Sequence, residues 1–173
     1  MKLDSYWLDT STRFAGVAQG PVEGRVDVAV IGAGFTGLSA ALALARRGAS
    51  VAVLEAGQVA AGASGRNGGH VNNGTAHDYA GLADKLGQEH ALSLYRAFDD
   101  AVDTVERIVR EEQIACDFRR SGKIKLAAKP AHYESIARGF ERLNRECDPE
   151  TELLPRERVR EEIGSDAFHG ALL

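Results

Sequence analysis

The feature that most restricts what this chain can fold into is VDVAVIGAGFTGLSAALALARRGASVAVLEAG, residues 26–57. It carries the spacing G-x-G-x-x-G at Gly32, Gly34 and Gly37, behind one apolar run and ahead of another. Val26 to Ile31 is Val-rich and almost continuously apolar, the pattern of a parallel strand covered on both faces. Residues 35–47 are good helix formers without Pro. Arg46 and Arg47 stand in the last turn, where cations suit the helix dipole, and Gly48 suits the cap beyond them. Ser50 to Leu54 repeats the strand pattern. Strand, helix and strand together predict a right-handed βαβ unit.

A tight turn between such a strand and helix leaves backbone N–H groups facing outward at the helix amino end. With the helix dipole behind them they form a site for a pyrophosphate. Gly32 permits the sharp turn, Gly34 lets a phosphate approach the backbone, and Gly37 lets helix and strand pack closely. Ala33, Phe35 and Thr36 complete the turn. Glu55 ends the second strand, with Ala56 next to it, and accepts hydrogen bonds from the 2'- and 3'-hydroxyls of an adenosine ribose. The same carboxylate repels a 2'-phosphate, and no Arg or Lys follows before Arg66. A dinucleotide with an unmodified adenosine ribose is the expected ligand.

The next segment, AGASGRNGGHVNNG at 61–74, bears on which dinucleotide it is. An NAD-binding βαβ unit usually runs from its second strand straight into another helix. Here a second glycine-rich loop intervenes, with Ser64, Arg66 and Asn67 as donors and Gly65, Gly68 and Gly69 allowing close backbone approach. Such a loop can wall a ligand longer than its adenylate half. A surface loop without a ligand is the alternative reading of the same glycines.

The remaining sequence excludes several classes. A net charge of -4 over 173 residues gives no electrostatic case for nucleic acid or an anionic membrane. The segment MKLDSYWLDTSTRF lacks the apolar stretch of a signal peptide, and LSAALALA is far too short to span a bilayer. Cys116 and Cys147 form no C-x-x-C pair and have no His at ligand spacing, so no metal site is expected. Two reduced, structural thiols in a cytoplasmic protein are expected. His77, His90, His132 and His169 read as surface residues.

Along the chain, residues 1–25 read as an irregular lead-in, 26–75 as the βαβ unit with its glycine-rich loop, and 76–173 as a mainly helical segment. Helices are expected at 79–87 and at 89–113, the latter with Leu94, Phe98, Ala101, Val105 and Ile108 along one face. DFRRSGKIKLAA, residues 117–128, reads as a β-hairpin turning at Ser121 and Gly122. Tyr133, Ile136, Phe140 and Leu143 mark another amphipathic helix. Pro155 to Ile163 suits a short helix closed by Gly164, and FHGALL is strand-like.

VIGAGFTGLSAALALARRGASVAVLEAG followed by GASGRNGGHV resembles the N-terminal part of the FAD-dependent amino-acid and amine oxidoreductases, the family of D-amino-acid oxidase and glycine oxidase. The early SYW segment and CDFRRSGKIKLAAKP are similar to the gamma-glutamylputrescine oxidoreductases within it. The resemblance implies an α/β fold: a Rossmann-like FAD-binding βαβ unit, then helices and a β-hairpin belonging to an incomplete substrate domain. It implies that Gly32, Gly34 and Gly37 hold the FAD pyrophosphate and Glu55 the adenosine ribose. Ser64 through Gly69 would run toward the flavin, with Arg66 and Asn67 as side-chain contacts. His70 would either face the flavin or serve as a polar loop residue.

The family reaction is oxidation of a C–N bond of an amine or amino acid, with hydride passing to the flavin. Complete members are much longer, and most substrate-binding groups lie in their later part. The chain therefore reads as an N-terminal fragment with unknown catalytic residues, and exposed apolar surface able to support self-association is expected. A non-catalytic nucleotide-binding or interaction module derived from such an enzyme is the alternative. An NAD-dependent dehydrogenase is a third, weakened by the 61–74 loop.

Overall fold

The computed structural model describes residues 4–18, 20–75 and 77–173. The first three residues of the lead-in, Gln19 within it, and Ala76, where the expected helical segment opens, lie outside the described residues. Two compact units divide between His70 and Val71.

The first unit opens with α1, Tyr6–Thr10, inside the lead-in expected to be irregular. The Ser5 hydroxyl accepts from the Leu8 N–H at 3.2 Å and starts this turn, while the Thr10 hydroxyl closes it on the Tyr6 carbonyl at 2.8 Å. β1, Val28–Ile31, leads into α2, Phe35–Ala45, and then β2, Val51–Leu54. The strands are parallel, with Val28 opposite Val51 and Ile31 opposite Leu54. At the start of both strands, Asp27 and Ser50 clamp each other. The Ser50 N–H and hydroxyl donate to the Asp27 carboxylate at 2.8 and 2.7 Å, and the Asp27 N–H donates back to the Ser50 hydroxyl at 2.9 Å. These bonds to the charged form hold the Asp27 carboxyl below the usual range.

Two expectations change in this unit. The helix ends at Ala45, with Arg46 in the cap position and Gly48 in the left-handed region at φ +89°. The first strand is not covered on both faces. Val28 and Val30 are half-buried, whereas Ala29 is exposed and Ile31 is 88% exposed. α2 packs against this sheet of two strands, and among the described residues Ala29 and Ile31, the alternate residues of β1, are left exposed.

The second unit pairs a helical layer with a small antiparallel sheet. α3, Tyr79–Leu86, is capped by the Asp78 carboxylate, which accepts from the Gly81 N–H at 2.7 Å. Gly87, at φ +84°, turns the chain into α4, Gln88–Glu111. Tyr79, Leu82, Ala83 and Ala91 form one buried cluster, joined by Tyr95 from α4 and by Leu143 from α5, Pro130–Glu146. The inward face at the start of α4 is therefore Ala91, Leu92 and Tyr95, a correction to the expected stripe. Leu94, Phe98 and Ala101 of that stripe are exposed, with Ala91 set against α3 beyond the turn at Gly87, whereas Val105 and Ile108 are half-buried. The α5 face does match its periodicity, with Ile136 buried and Tyr133, Phe140 and Leu143 half-buried.

Polar side chains tie these helices together. The Tyr79 hydroxyl donates to Glu146 at 3.2 Å, the Tyr95 hydroxyl donates to Asp148 at 3.1 Å, and Arg142 bridges Asp84 and Glu146. Burial together with the Asp148 charge pushes the Tyr95 phenol well above its ordinary range.

The sheet runs β3–β5–β4, with β3 at Lys125–Leu126, β4 at Leu153–Pro155 and β5 at Gly170–Leu172. This corrects the hairpin expected over 117–128. Gly122 does turn, at φ +75°, but β3 pairs with β5, with Leu126 opposite Ala171. The 117–120 arm is held elsewhere by charge, since Arg120 pairs with Asp103 and Glu106 of α4. Pro155 ends β4 and caps α6, Arg156–Glu162, so the proline sits just ahead of the helix instead of in its first turn. Leu154 and Val159, each 1% exposed, and Ala171 form the core here. Burying each of the two large side chains contributes about 1.5–3 kcal/mol.

Candidate functional site

The expected site residues are brought together by the β1–α2 turn, the end of β2, and the loop 61–70. Gly32 closes β1 at φ +96°, a conformation that a residue with a Cβ adopts only under strain, and its N–H donates to the Leu54 carbonyl at 2.7 Å. A Cβ on Gly37 would collide with the Gly32 carbonyl oxygen and touch Val30 Cγ1 at 3.3 Å, so only glycine lets α2 lie this close to the turn. Ala33 is buried between them. Phe35 and Thr36 are exposed at the amino end of α2.

Glu55 stands at the end of β2 with its carboxylate directed back onto the turn. One oxygen accepts from the Ala33 N–H at 2.8 Å and the other from the Gly57 N–H at 2.9 Å. The Ala33 bond, then that of Gly57, holds the Glu55 carboxyl below its usual range, so it is ionised at neutral pH. Glu55 is exposed, as is Ala56 beside it. An ionised, exposed acid anchored to the glycine turn is placed to accept hydroxyl hydrogen bonds from a ligand lying across the turn.

The second loop closes the other side. A single turn of 3₁₀-helix spans Ala63–Gly65, and the Ser64 hydroxyl accepts from the Phe35 N–H at 3.0 Å. Gly34, the N-cap residue, has no side chain to cap α2, so a hydroxyl from the far loop performs that task. A Cβ on Gly34 would lie 2.9 Å from that hydroxyl. Arg66 and Asn67, expected to contact ligand, also bond to the loop itself. Arg66 Nε donates to the Ala61 carbonyl at 2.9 Å. Asn67 Nδ2 donates to the Ser64 carbonyl at 2.7 Å, while Asn67 Oδ1 accepts from the Gly69 N–H at 2.7 Å. Gly65 is buried, and Gly68, Gly69 and His70 are exposed.

Phe35, Thr36, Ala63, Ser64, Asn67, Gly68 and His70 line an open cleft of about 420 Å³. Six of these seven residues were expected from sequence, and Ala63 lies inside the same loop. The residue that sequence reasoning left without a role is Trp7, whose indole N–H donates to the Asn67 carbonyl at 2.7 Å. Its signal was present, since it is the only Trp in the chain and belongs to the SYW segment, but nothing local connects it to position 67. No group of His, Cys, Asp and Glu able to hold a metal occurs among the described residues. Cys116 and Cys147 are both free, and Cys116, in the segment that follows α4, is exposed.

A family model described as DAO, FAD dependent oxidoreductase, matches residues 27–173. The chain belongs to the FAD-dependent oxidoreductase family. FAD is the cofactor of that family. The gamma-glutamylputrescine oxidoreductase of Escherichia coli is 35% identical over 147 residues, covering 85% of this chain and 34% of that protein. The crystal structure of glycine oxidase from Geobacillus kaustophilus resembles this one with a TM-score of 0.64 at 23% identity, over 85% of this chain and 38% of that chain. That likeness is one of fold: a mixed α/β arrangement with a parallel and an antiparallel sheet. The chain thus spans about a third of the length of these relatives.

The residues present fit the family's cofactor. The amino end of α2, capped only by the Ser64 hydroxyl at Phe35, faces a turn held open by glycines, and an ionised acid stands at the neighbouring strand end. A second glycine-bearing loop lines the cleft together with Phe35 and Thr36. A pyrophosphate needs the first, a ribose the second, and a flavin moiety the third.

Proposed function

We propose that this chain is the cofactor-binding N-terminal part of an enzyme that oxidises a C–N bond of an amine or amino acid. The observation that carries the reading is the Glu55 carboxylate bonded to the Ala33 N–H inside the Gly32–Gly37 turn, with Ser64 at the amino end of α2. The names of the two relatives, one acting on a glutamylated amine and one on glycine, supply the substrate class.

In this reading, the turn Gly32, Ala33, Gly34, Phe35, Thr36 and Gly37 binds the pyrophosphate through backbone N–H groups. Glu55, with Ala56 alongside, receives the adenosine ribose hydroxyls, and its negative charge excludes a 2'-phosphate. Ser64, Gly65, Arg66, Asn67, Gly68, Gly69 and His70 form the wall along the flavin half. The flavin, when bound, supplies the acceptor for the hydride that leaves the carbon bearing the amine. The protein's part is to hold that acceptor still and to keep the adenylate end anchored. No catalytic side chain is assigned to this chain, and substrate recognition is placed in the part of the relatives that it does not span.

The exposed side of β1 and the neighbouring Phe35 and Leu38 leave apolar surface exposed, and self-association through it belongs to the same proposal. No helix among the described residues is long and apolar enough to cross a membrane, and a cytoplasmic setting is proposed on the reduced cysteines.

The test is titration of the purified chain with FAD, followed by flavin fluorescence, then anaerobic addition of amines and amino acids. FAD binding that is lost in Glu55→Arg, with flavin bleaching by an amine only when the chain is joined to any coding sequence that follows it, is the expected result. A chain that binds ADP but never FAD would overturn the flavin reading in favour of a nucleotide-binding module. Bleaching by the 173-residue chain alone would show that catalytic groups lie within it.

A further inference from the structure

Trp7 is engaged by the glycine-rich loop in two independent ways. Its indole N–H donates to the Asn67 carbonyl at 2.7 Å across sixty residues of sequence. Its six-membered ring also lies against Gly69, where a Cβ would run into Cζ2 and would lie 2.8 Å from Cη2. Gly69 is at φ +72°, so the loop takes a left-handed step at the point where the ring covers it. Tyr6 packs edge-on against the same indole, with ring centroids 5.0 Å apart at 83°. Trp7 is 39% exposed, so this is a strap over a surface loop and not part of a hydrophobic core.

The contact continues inward without a gap. From Trp7 the path runs to the Asn67 carbonyl, from Asn67 Nδ2 to the Ser64 carbonyl, and from the Ser64 hydroxyl to the Phe35 N–H at the amino end of α2. Asn67 Oδ1 meanwhile holds the Gly69 N–H, which fixes the loop segment under the indole. Every bond in this path lies between the N-terminal helix and the two walls of the candidate cleft. A glycine-rich loop left to itself has many accessible conformations, and ordering it on binding costs affinity. A strap that fixes the loop beforehand removes part of that cost.

We infer that Trp7 is a positioning residue for the cofactor: through Asn67 and Ser64 it pre-sets the 64–70 loop, and so strengthens binding of the flavin half of FAD while leaving the adenylate half unaffected. The inference rests on the FAD reading above. It assigns the SYW segment a task in cofactor binding that the glycine turn and Glu55 do not perform.

The experiment compares wild type with Trp7→Phe, which keeps a ring over Gly69 but loses the N–H donor, and with Trp7→Ala, which loses both. FAD affinity is read by flavin fluorescence, ADP affinity by calorimetry, and loop order by amide hydrogen exchange without ligand. Trp7→Ala is expected to weaken FAD about tenfold, and Trp7→Phe about threefold, as loss of a hydrogen bond and its packing implies. ADP affinity is expected to stay within about twofold, because the adenylate half meets only the turn and Glu55. In the free protein, exchange at Gly69 should quicken in Trp7→Ala while the amides of β1 and of the Gly32–Gly37 turn stay protected.

Equal losses for FAD and ADP would reduce Trp7 to a general structural residue and overturn the inference. So would unchanged FAD affinity in Trp7→Ala, or unchanged exchange across 64–69. Failure of the wild-type chain itself to bind FAD would take down the flavin reading and the role of Trp7 together. Failure of the mutants to differ from a wild type that does bind would take down only the second.

Discussion

Adding one methyl group at Gly37 should destabilise the first unit, although Ala is the better helix former. Gly37 lies in the first turn of α2, where its missing Cβ leaves room for the Gly32 carbonyl oxygen. A Cβ there would overlap that oxygen, approach the Gly32 carbonyl carbon at 3.1 Å and approach Val30 Cγ1 at 3.3 Å. Gly32 has little freedom to retreat, since its N–H is bonded to the Leu54 carbonyl at 2.7 Å. The helix must therefore move off the strands. Overpacking of this kind costs about 1–3 kcal/mol, and replacing Gly by Ala within a helix returns about 1 kcal/mol. A net loss of up to about 2 kcal/mol remains, which shifts a urea midpoint down by up to about 1–2 M at an m-value of about 1–2 kcal/mol/M.

Gly139→Ala supplies the control. Gly139 lies inside α5, and a Cβ there would meet nothing within 4 Å, so the same substitution should stabilise by about 0.5–1 kcal/mol. The two sites lie in different units, so each needs its own probe. Trp7 emission follows the first unit, while far-UV circular dichroism follows the helix-rich second. A Gly37→Ala protein whose Trp7 transition is unmoved or raised would refute the close approach of α2 to the turn.

Three further outcomes follow from the geometry. Glu55 has its carboxyl lowered by the Ala33 and Gly57 N–H bonds, so its contribution is present above the unfolded value, near 4, and is lost as pH falls through the folded one. Trp7 emission and FAD affinity should therefore hold from neutrality to about pH 5 and decline below it, whereas Glu55→Gln should flatten the low-pH part of the affinity profile. Burial and the Asp148 charge raise the Cys147 thiol to about 11, while Cys116 is exposed, so iodoacetamide at mildly alkaline pH should alkylate Cys116 first, as peptide mapping would show. Ile31→Lys should cut binding of a hydrophobic dye and shift gel filtration toward monomer; a wild-type chain already monomeric and blind to the dye would remove the case for self-association.

Much of the fold could be read from local pattern. β1, α2 and β2 follow from apolar runs whose spacing leaves few other arrangements, and the G-x-G-x-x-G turn follows from the backbone freedom of glycine. Glu55 was legible because a strand-end acid at that distance has a defined geometric task. The α5 face was legible because one periodic stripe had a single neighbouring layer to meet. Where local pattern misled, a nonlocal partner had intervened. Residues 117–128 carry the alternation of a hairpin, yet Arg120 is drawn to Asp103 and Glu106 and the free strand pairs with β5. The apolar stripe from Leu94 to Ala101 is genuine, but beyond the turn at Gly87 it is Ala91 that is buried, with Tyr95 half-buried beside it.

The sequence by itself determined the βαβ unit, the glycine turn, the acid at the strand end and the glycine-rich loop after it, because each depends on residues close together in the chain. Tertiary structure alone decided that Ser64 caps α2, that Asn67 spends its amide on the loop, and that Trp7 holds that loop from the far end of the unit. A hydrogen bond between residues sixty positions apart has no local signature, since its free energy is realised only once the intervening chain has folded.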